Sequence, residues 1–247
     1  GARAAGLNPL LSLGQRFSSS QPLPAALGGS QGARAAPLPT ASLAVAVAVA
    51  AGVAGVALAA PEGQFLPEDE LLETASGRKI RASEALAGAQ HVLVYFSAEW
   101  CPPCRAFTPK LKEFYEKANA RPGAGGRKNM EVVFVSSDKS EAGARQYMEG
   151  MHGDWLAVAF DSPLRWSLKK RYGSWAGVEK KVLGGEENGK KSGIPTLIVV
   201  CGDTGEELDY LAREKIAEAV DAGASMPRVR AIMASWTMAK AAWKAQK

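Results

Sequence analysis

Three stretches are apolar without interruption for about the length of a buried strand: His91–Ser97, Met130–Ser136 and Ile194–Cys201. Each is rich in Val, Leu, Ile and Phe and predicts a strand covered on both faces. Helical spacing replaces this pattern in between. Phe107, Leu111, Phe114 and Tyr115 recur every three to four positions and predict a helix over Pro102–Ala120, stopped by Arg121-Pro122-Gly123. Shorter helices are predicted over Ser140–Gly150, Pro163–Tyr172 and Arg213–Asp221. Leu71–Thr74 and Lys79–Arg81 flank Ala75-Ser76-Gly77 as a hairpin. Leu156–Phe160 predicts a short extended piece, and Glu206–Leu211 a last strand after the turn Gly202–Gly205. Strand, helix, strand, helix, hairpin and helix together predict a three-layer α/β domain with a central mixed sheet.

The flanks read differently. Residues 1–40 are rich in Ala, Gly, Ser, Pro and Leu, as in an organelle-targeting segment or a low-complexity tail. Ala41–Ala60 is uncharged and predicts one weakly hydrophobic transmembrane helix, followed by a linker over 61–69; the competing reading is a cleaved signal segment ending in Ala57-Leu58-Ala59. At the other end, residues 222–247 place Val229, Ile232, Met233, Trp236 and Trp243 on one helical face with bases on the other. That pattern predicts a helix docked on a membrane surface or a partner, against the alternative of a terminal helix packed on its own domain.

Charge follows the same division. Of 30 Lys+Arg, three lie in residues 1–61 and five in 222–247, both free of acid, leaving 22 bases against 25 acids between them. A mildly acidic globular part argues against a nucleic-acid-binding domain. Three cysteines exclude a disulfide scaffold.

The chemistry concentrates in Trp100-Cys101-Pro102-Pro103-Cys104-Arg105, set between a predicted buried strand and a predicted helix. A cysteine at a helix N-terminus meets free N–H groups and the positive end of the helix dipole, which stabilise its thiolate. Two intervening residues return Cys104 to disulfide distance one turn on, and proline costs no hydrogen bond there. Cys101 then attacks a disulfide and Cys104 resolves the product, with Trp100 covering one side of the sulfur. A zinc site needs four ligands, and only His91, His152 and Cys201 remain, none at paired spacing. Cys201 itself reads as a small core residue. No cofactor and no metal enter this reading.

Residues 70–221 resemble the thioredoxin superfamily in its tryparedoxin and nucleoredoxin branch. The likeness rests on Ser83–Leu86, on Tyr95-Phe96-Ser97-Ala98-Glu99-Trp100-Cys101-Pro102-Pro103-Cys104-Arg105, on Phe107-Thr108-Pro109, on Val132–Ser136 and on Ile194-Pro195-Thr196-Leu197. It implies a thioredoxin-like fold, Cys101 as nucleophile, Cys104 as resolving cysteine and Pro195 as a cis proline. Trp100, Pro102, Pro103, Ile194 and Pro195 would line the place of a disulfide-containing protein substrate. Two departures stand out. Tyr95 occupies a place where many thioredoxins carry a buried acid, so proton delivery to Cys104 falls to water, Glu99 or the tyrosine. Ser174–Ser192 is inserted just before Pro195, either as a cover or docking element beside the substrate groove or as a plain surface loop.

The sequence thus predicts a membrane-anchored thiol–disulfide oxidoreductase in the mitochondrial inner membrane, with a plastid thylakoid membrane as the alternative. Its expected neighbours are lipid and other subunits of a membrane complex. The competing role is an accessory subunit of such a complex with incidental redox activity.

Overall fold

The computed structural model describes residues 65–247. The targeting-like tail, the apolar stretch Ala41–Ala60 and the start of the linker lie outside the described residues. Among the described residues, no helix is long and apolar enough to cross a membrane.

In chain order the elements are β1 (Leu71–Thr74), β2 (Lys79–Arg81), α1 (Ala82–Ala85), β3 (His91–Ser97), α2 (Pro102–Asn119), β4 (Met130–Ser136), α3 (Glu141–Met151), β5 (Leu156–Val158), α4 (Leu164–Tyr172), α5 (Lys180–Leu183), β6 (Thr196–Val200), β7 (Glu207–Asp209), α6 (Ala212–Asp221) and α7 (Met226–Ala245). The strands form one mixed sheet in the order β2-β1-β5-β4-β3-β6-β7. β3 sits inside it, parallel to β4 and antiparallel to β6, with Leu93 opposite Val132 and Val199. β1 and β2 form the expected hairpin, and β1 joins the sheet antiparallel to β5.

The pleat divides the core into two. Leu93, Tyr95, Val132, Phe134, Leu197 and Val199 face one side and meet residues of α2, α3, α6 and α7. Val92, Val94, Phe96, Val133, Val135, Ile198 and Val200 face the other, where α4 contributes Leu164, Leu168 and Tyr172. Alternate side chains of one strand therefore serve different layers, and this is why the central strands carry no polar alternation. Helix starts and stops have local causes. Ser140 caps α3 by accepting the Gly143 N–H at 3.2 Å. Gly173 ends α4 at φ 63°, a left-handed conformation that glycine takes without a Cβ clash.

Two expectations change. First, β6 begins at Thr196 rather than Ile194, because Ile194–Pro195 forms the loop that enters it. Second, most of the apolar face predicted for a membrane or a partner, Val229, Ile232, Met233 and Trp236, packs on the domain itself, and Trp243 lies outside that contact. Val229 and Trp236 are buried in the core beneath α2, α6 and β3, and Ile232 and Met233 pack against it. The Trp236 indole N–H donates to Asp209 Oδ2 of β7 at 2.8 Å, and the ring meets His91 edge-on with centroids 5.5 Å apart. The domain supplies both an apolar seat and a polar partner for this tryptophan, so the helix packs on its own chain.

Candidate active site

Cys101 is the N-cap of α2 and Cys104 sits in its first turn. Their Cα atoms are 5.2 Å apart and the two sulfurs are joined in a disulfide. Cys101 Sγ accepts the backbone N–H of Cys104 at 3.4 Å. The N-cap sulfur thus takes one of the donors a helix start leaves unused. Pro102 and Pro103 open the helix at N1 and N2 and are exposed. Cys104 is fully buried and Cys101 is 5% exposed, which leaves Cys101 the sulfur nearer to solvent.

The other predicted residues gather around this pair. Trp100 and Ile194 pack against Ala98, Cys101 and Cys104. The Ile194–Pro195 bond is cis, and the Ile194 carbonyl oxygen lies 3.8 Å from Cys101 Sγ. All seven expected site residues therefore lie at two adjoining places, the β3–α2 junction with the first turn of α2 and the entry to β6. Trp100 is held from behind by its indole N–H, which donates to the Ser137 carbonyl at 3.0 Å. The neighbouring Glu99 N–H donates to Asp138 Oδ1 at 2.8 Å, and Ser136 Oγ donates to Asp138 Oδ2 at 2.8 Å. Burial raises the Asp138 carboxyl above its ordinary range, against the opposing pull of these two hydrogen bonds.

Tyr95 belongs to a buried set of four hydroxyls that sequence reasoning did not assemble. Its hydroxyl lies 2.8 Å from Thr108 Oγ1 and 3.0 Å from Ser97 Oγ. Tyr147 of α3 bonds to both Ser97 and Thr108, and Thr108 donates to the Cys104 carbonyl at 2.9 Å. Burial, reinforced by Tyr147, pushes the Tyr95 hydroxyl well above its ordinary value. Tyr147 is raised by burial as well. Both phenols stay protonated at neutral pH, so this network can pass a proton between hydroxyls but holds no carboxylate. Glu99 does not enter it: its carboxylate faces Arg105 at the surface, 3.6 Å away. The one sequence signal for Tyr147 was its place with Ala144 and Met148 on the buried face of α3.

The segment Ser174–Ser192 is folded rather than a plain loop. Trp175 is fully buried and its indole N–H donates to the Gly184 carbonyl at 3.0 Å. Glu179 forms a buried ion pair with Lys169 of α4. Cys201 is free and buried, as expected of a core residue. Among the described residues no cluster of His, Cys, Asp and Glu could hold a metal ion.

Chemically, the arrangement is a dithiol–disulfide pair beside a backbone edge. In the reduced form Cys101 can attack an incoming disulfide. Cys104, one turn away, can then displace the product and restore the disulfide described here.

Comparison with known proteins agrees. A family model described as Thioredoxin-like matches residues 88–206. The chain is 40% identical over 136 residues to a tryparedoxin of Trypanosoma brucei brucei, covering 55% of this chain and 77% of that protein. It is 41% identical over 119 residues to human nucleoredoxin, covering 48% of this chain but only 22% of that longer protein. A solved thioredoxin from Wuchereria bancrofti superposes with a TM-score of 0.50 at 37% identity, covering 62% of this chain and 90% of that one. The chain belongs to the thioredoxin-like family, in its tryparedoxin and nucleoredoxin branch.

Proposed function

We propose that this chain is a thiol–disulfide oxidoreductase that reduces disulfides in other proteins through Cys101 and Cys104. The observation that carries the reading is the joined cysteine pair at the start of α2, with Cys101 as the less buried sulfur 3.8 Å from the Ile194 carbonyl. The Cys101 thiolate attacks one sulfur of the client disulfide, forming a mixed disulfide and releasing the other client sulfur as a thiolate. The Cys104 thiolate then attacks Cys101 Sγ, and the second client thiolate leaves. Two electrons pass to the client and the Cys101–Cys104 disulfide forms, to be reduced again by an external dithiol. An extended client backbone fits the site because the Ile194 carbonyl offers an acceptor beside the sulfur.

Reduction of insulin disulfides by the reduced protein tests this directly. Wild type should turn over and Cys101→Ser should not. Equal rates for the two proteins would remove the enzyme reading and leave a role as an accessory subunit of a membrane complex.

We further propose that Ala41–Ala60 anchors the domain in an organelle membrane, the mitochondrial inner membrane before a plastid thylakoid. An uncharged stretch of twenty residues behind an acid-free, arginine-bearing tail supports this. Carbonate extraction of the full chain against a chain lacking residues 1–61 tests the anchor. Equal retention of both in the membrane fraction would show that the stretch is not the anchor.

A further inference from the structure

The segment between α4 and β6 bonds to the supports of both Trp100 and Ile194, the two side chains packed on the cysteine pair. At its start, Glu179 is 8% exposed and Lys169 is 0% exposed. Glu179 Oε1 accepts from Lys169 Nζ, while Oε2 accepts the Ser137 hydroxyl at 2.8 Å and the Ala176 N–H at 2.9 Å. Lys169 Nζ also donates to the Ser136 carbonyl at 2.7 Å. Ser137 is the residue whose carbonyl receives the Trp100 indole N–H. A chain of direct contacts therefore runs from the insertion through Ser137 to the tryptophan packed on the disulfide.

At its far end the segment bonds to Gly173 and around Ile194 and Pro195. The backbone N–H groups of Lys191 and Ser192 both donate to the Gly173 carbonyl, at 2.7 and 3.1 Å. Ser192 Oγ lies 2.8 Å from Thr196 Oγ1 and 2.8 Å from the Tyr210 hydroxyl. Ser174 Oγ donates to the Gly193 carbonyl at 3.2 Å. These bonds fix the residues on either side of Ile194 and Pro195.

We propose that residues 174–192 are a brace that sets Trp100 and Ile194 against Cys101, and that Glu179 is the positioning residue for Trp100. The proposal rests on the disulfide-reductase reading for its consequence, but not for its geometry. A buried ion pair adds little stability over an apolar pair of equal volume. What Glu179 adds here is direction, because its second oxygen is spent on Ser137 and on the backbone of its own turn. A carboxylate with all its bonds committed holds Ser137 by its hydroxyl, while its partner Lys169 holds the Ser136 carbonyl, and together they fix the Ser137 carbonyl that accepts the Trp100 indole N–H. The brace acts on a protein-sized client, which must fit between Trp100 and Ile194, more than on a small disulfide.

The test uses the full chain with 15N-labelled tryptophan, the Trp100 indole resonance being assigned with Trp100→Phe. Ser137→Ala keeps the carbonyl and deletes only the link to Glu179; Glu179→Gln weakens the link from the other side. Each should move the Trp100 indole resonance and lower kcat/KM for insulin about tenfold, the scale of one lost hydrogen bond. The small disulfide substrate DTNB should lose less. The double variant should lose no more than either single one, since both cut the same path. If Glu179→Gln does not fold, Lys169→Met with Glu179→Leu removes the pair without leaving a lone charge and should give the same loss. An unmoved indole resonance in Ser137→Ala, or losses that multiply in the double variant, would overturn the brace. A wild type that reduces no disulfide would sink the reductase reading alone, because the indole resonance decides the brace without turnover.

Discussion

The backbone N–H of Cys104 points at the Cys101 sulfur, 3.4 Å away. A thiolate at Cys101 in the reduced protein therefore gains a donor that a thiol uses poorly, along with the positive end of an eighteen-residue helix. Alkylation of reduced protein by iodoacetamide should reach half its maximal rate at a pH below about 8.5, the value of a free cysteine. The modified site should be Cys101, since Cys104 is fully buried. Peptide mass mapping across a pH series checks both statements.

Tyr95 stands where a carboxylate could have served Cys104, and its hydroxyl is tied to Ser97 and Thr108. Replacing it with phenylalanine keeps the ring contacts with Phe107 and Phe134 but removes one hydroxyl from a closed buried set. Tyr95→Phe should lower unfolding free energy by about 1 kcal/mol, the net value of an ordinary hydrogen bond. It should also slow decay of the client mixed disulfide without changing the rate of its formation. Denaturant melts and quenched-flow trapping separate these effects.

Two buried histidines predict how stability responds to acid. Burial, with Lys112 nearby, lowers His152 to about 3; burial, with Lys240, lowers His91 to about 4. His152 Nδ1 accepts the Trp155 indole N–H at 2.9 Å, and its ring lies among Phe134 and Tyr147. Nε2, which has no hydrogen-bond partner, then carries the proton toward aromatic faces. The unfolded chain takes up protons as pH falls through about 6.5, whereas the folded chain does not until far lower. These two histidines therefore contribute stability that rises with pH between about 4 and 6.5 and is lost on acidification through that window, while the raised carboxyls of Asp138 and Glu131 act in the opposite sense. Thermal melts of wild type and His152→Phe across pH 4–8 isolate the histidine share: the variant's stability should rise less with pH between about 4 and 6.5 than that of wild type.

Trp236 joins α7 to the domain through Asp209, His91 and Phe114. Trp236→Ala should cost about 3–5 kcal/mol as a large-to-small change in a core, and it strands the Asp209 carboxylate without its indole donor. Hydrogen exchange should then show α7 losing protection before β3 and β4.

How much of this was legible beforehand varies by element. The inner strands β3, β4 and β6 were readable because both of their faces are covered, which makes them unbroken apolar runs. The cysteine pair was readable because its chemistry is local: four consecutive residues at one strand-to-helix junction. The seat of α7 was not readable. An amphipathic face says that something covers it, and the covering groups, Asp209 and His91, come from distant strands. The hydroxyl set failed for the same reason, since Ser97, Thr108 and Tyr147 meet only after β3, α2 and α3 are stacked. Glu179 sits in a stretch dense with Lys and Glu and reads there as a surface acid. Only the fold brings Lys169 to it.

Cys101, the less buried sulfur, is the one that should meet the client. Cys104→Ser should stop the reaction at the first exchange, leaving a covalent adduct with insulin that survives denaturation and is released by dithiothreitol. Intact-mass and peptide-mass analysis of that adduct is the most direct measurement. A single mixed disulfide at Cys101 is the expected result. An adduct at Cys201, or none at all from a folded and reduced protein, would contradict it.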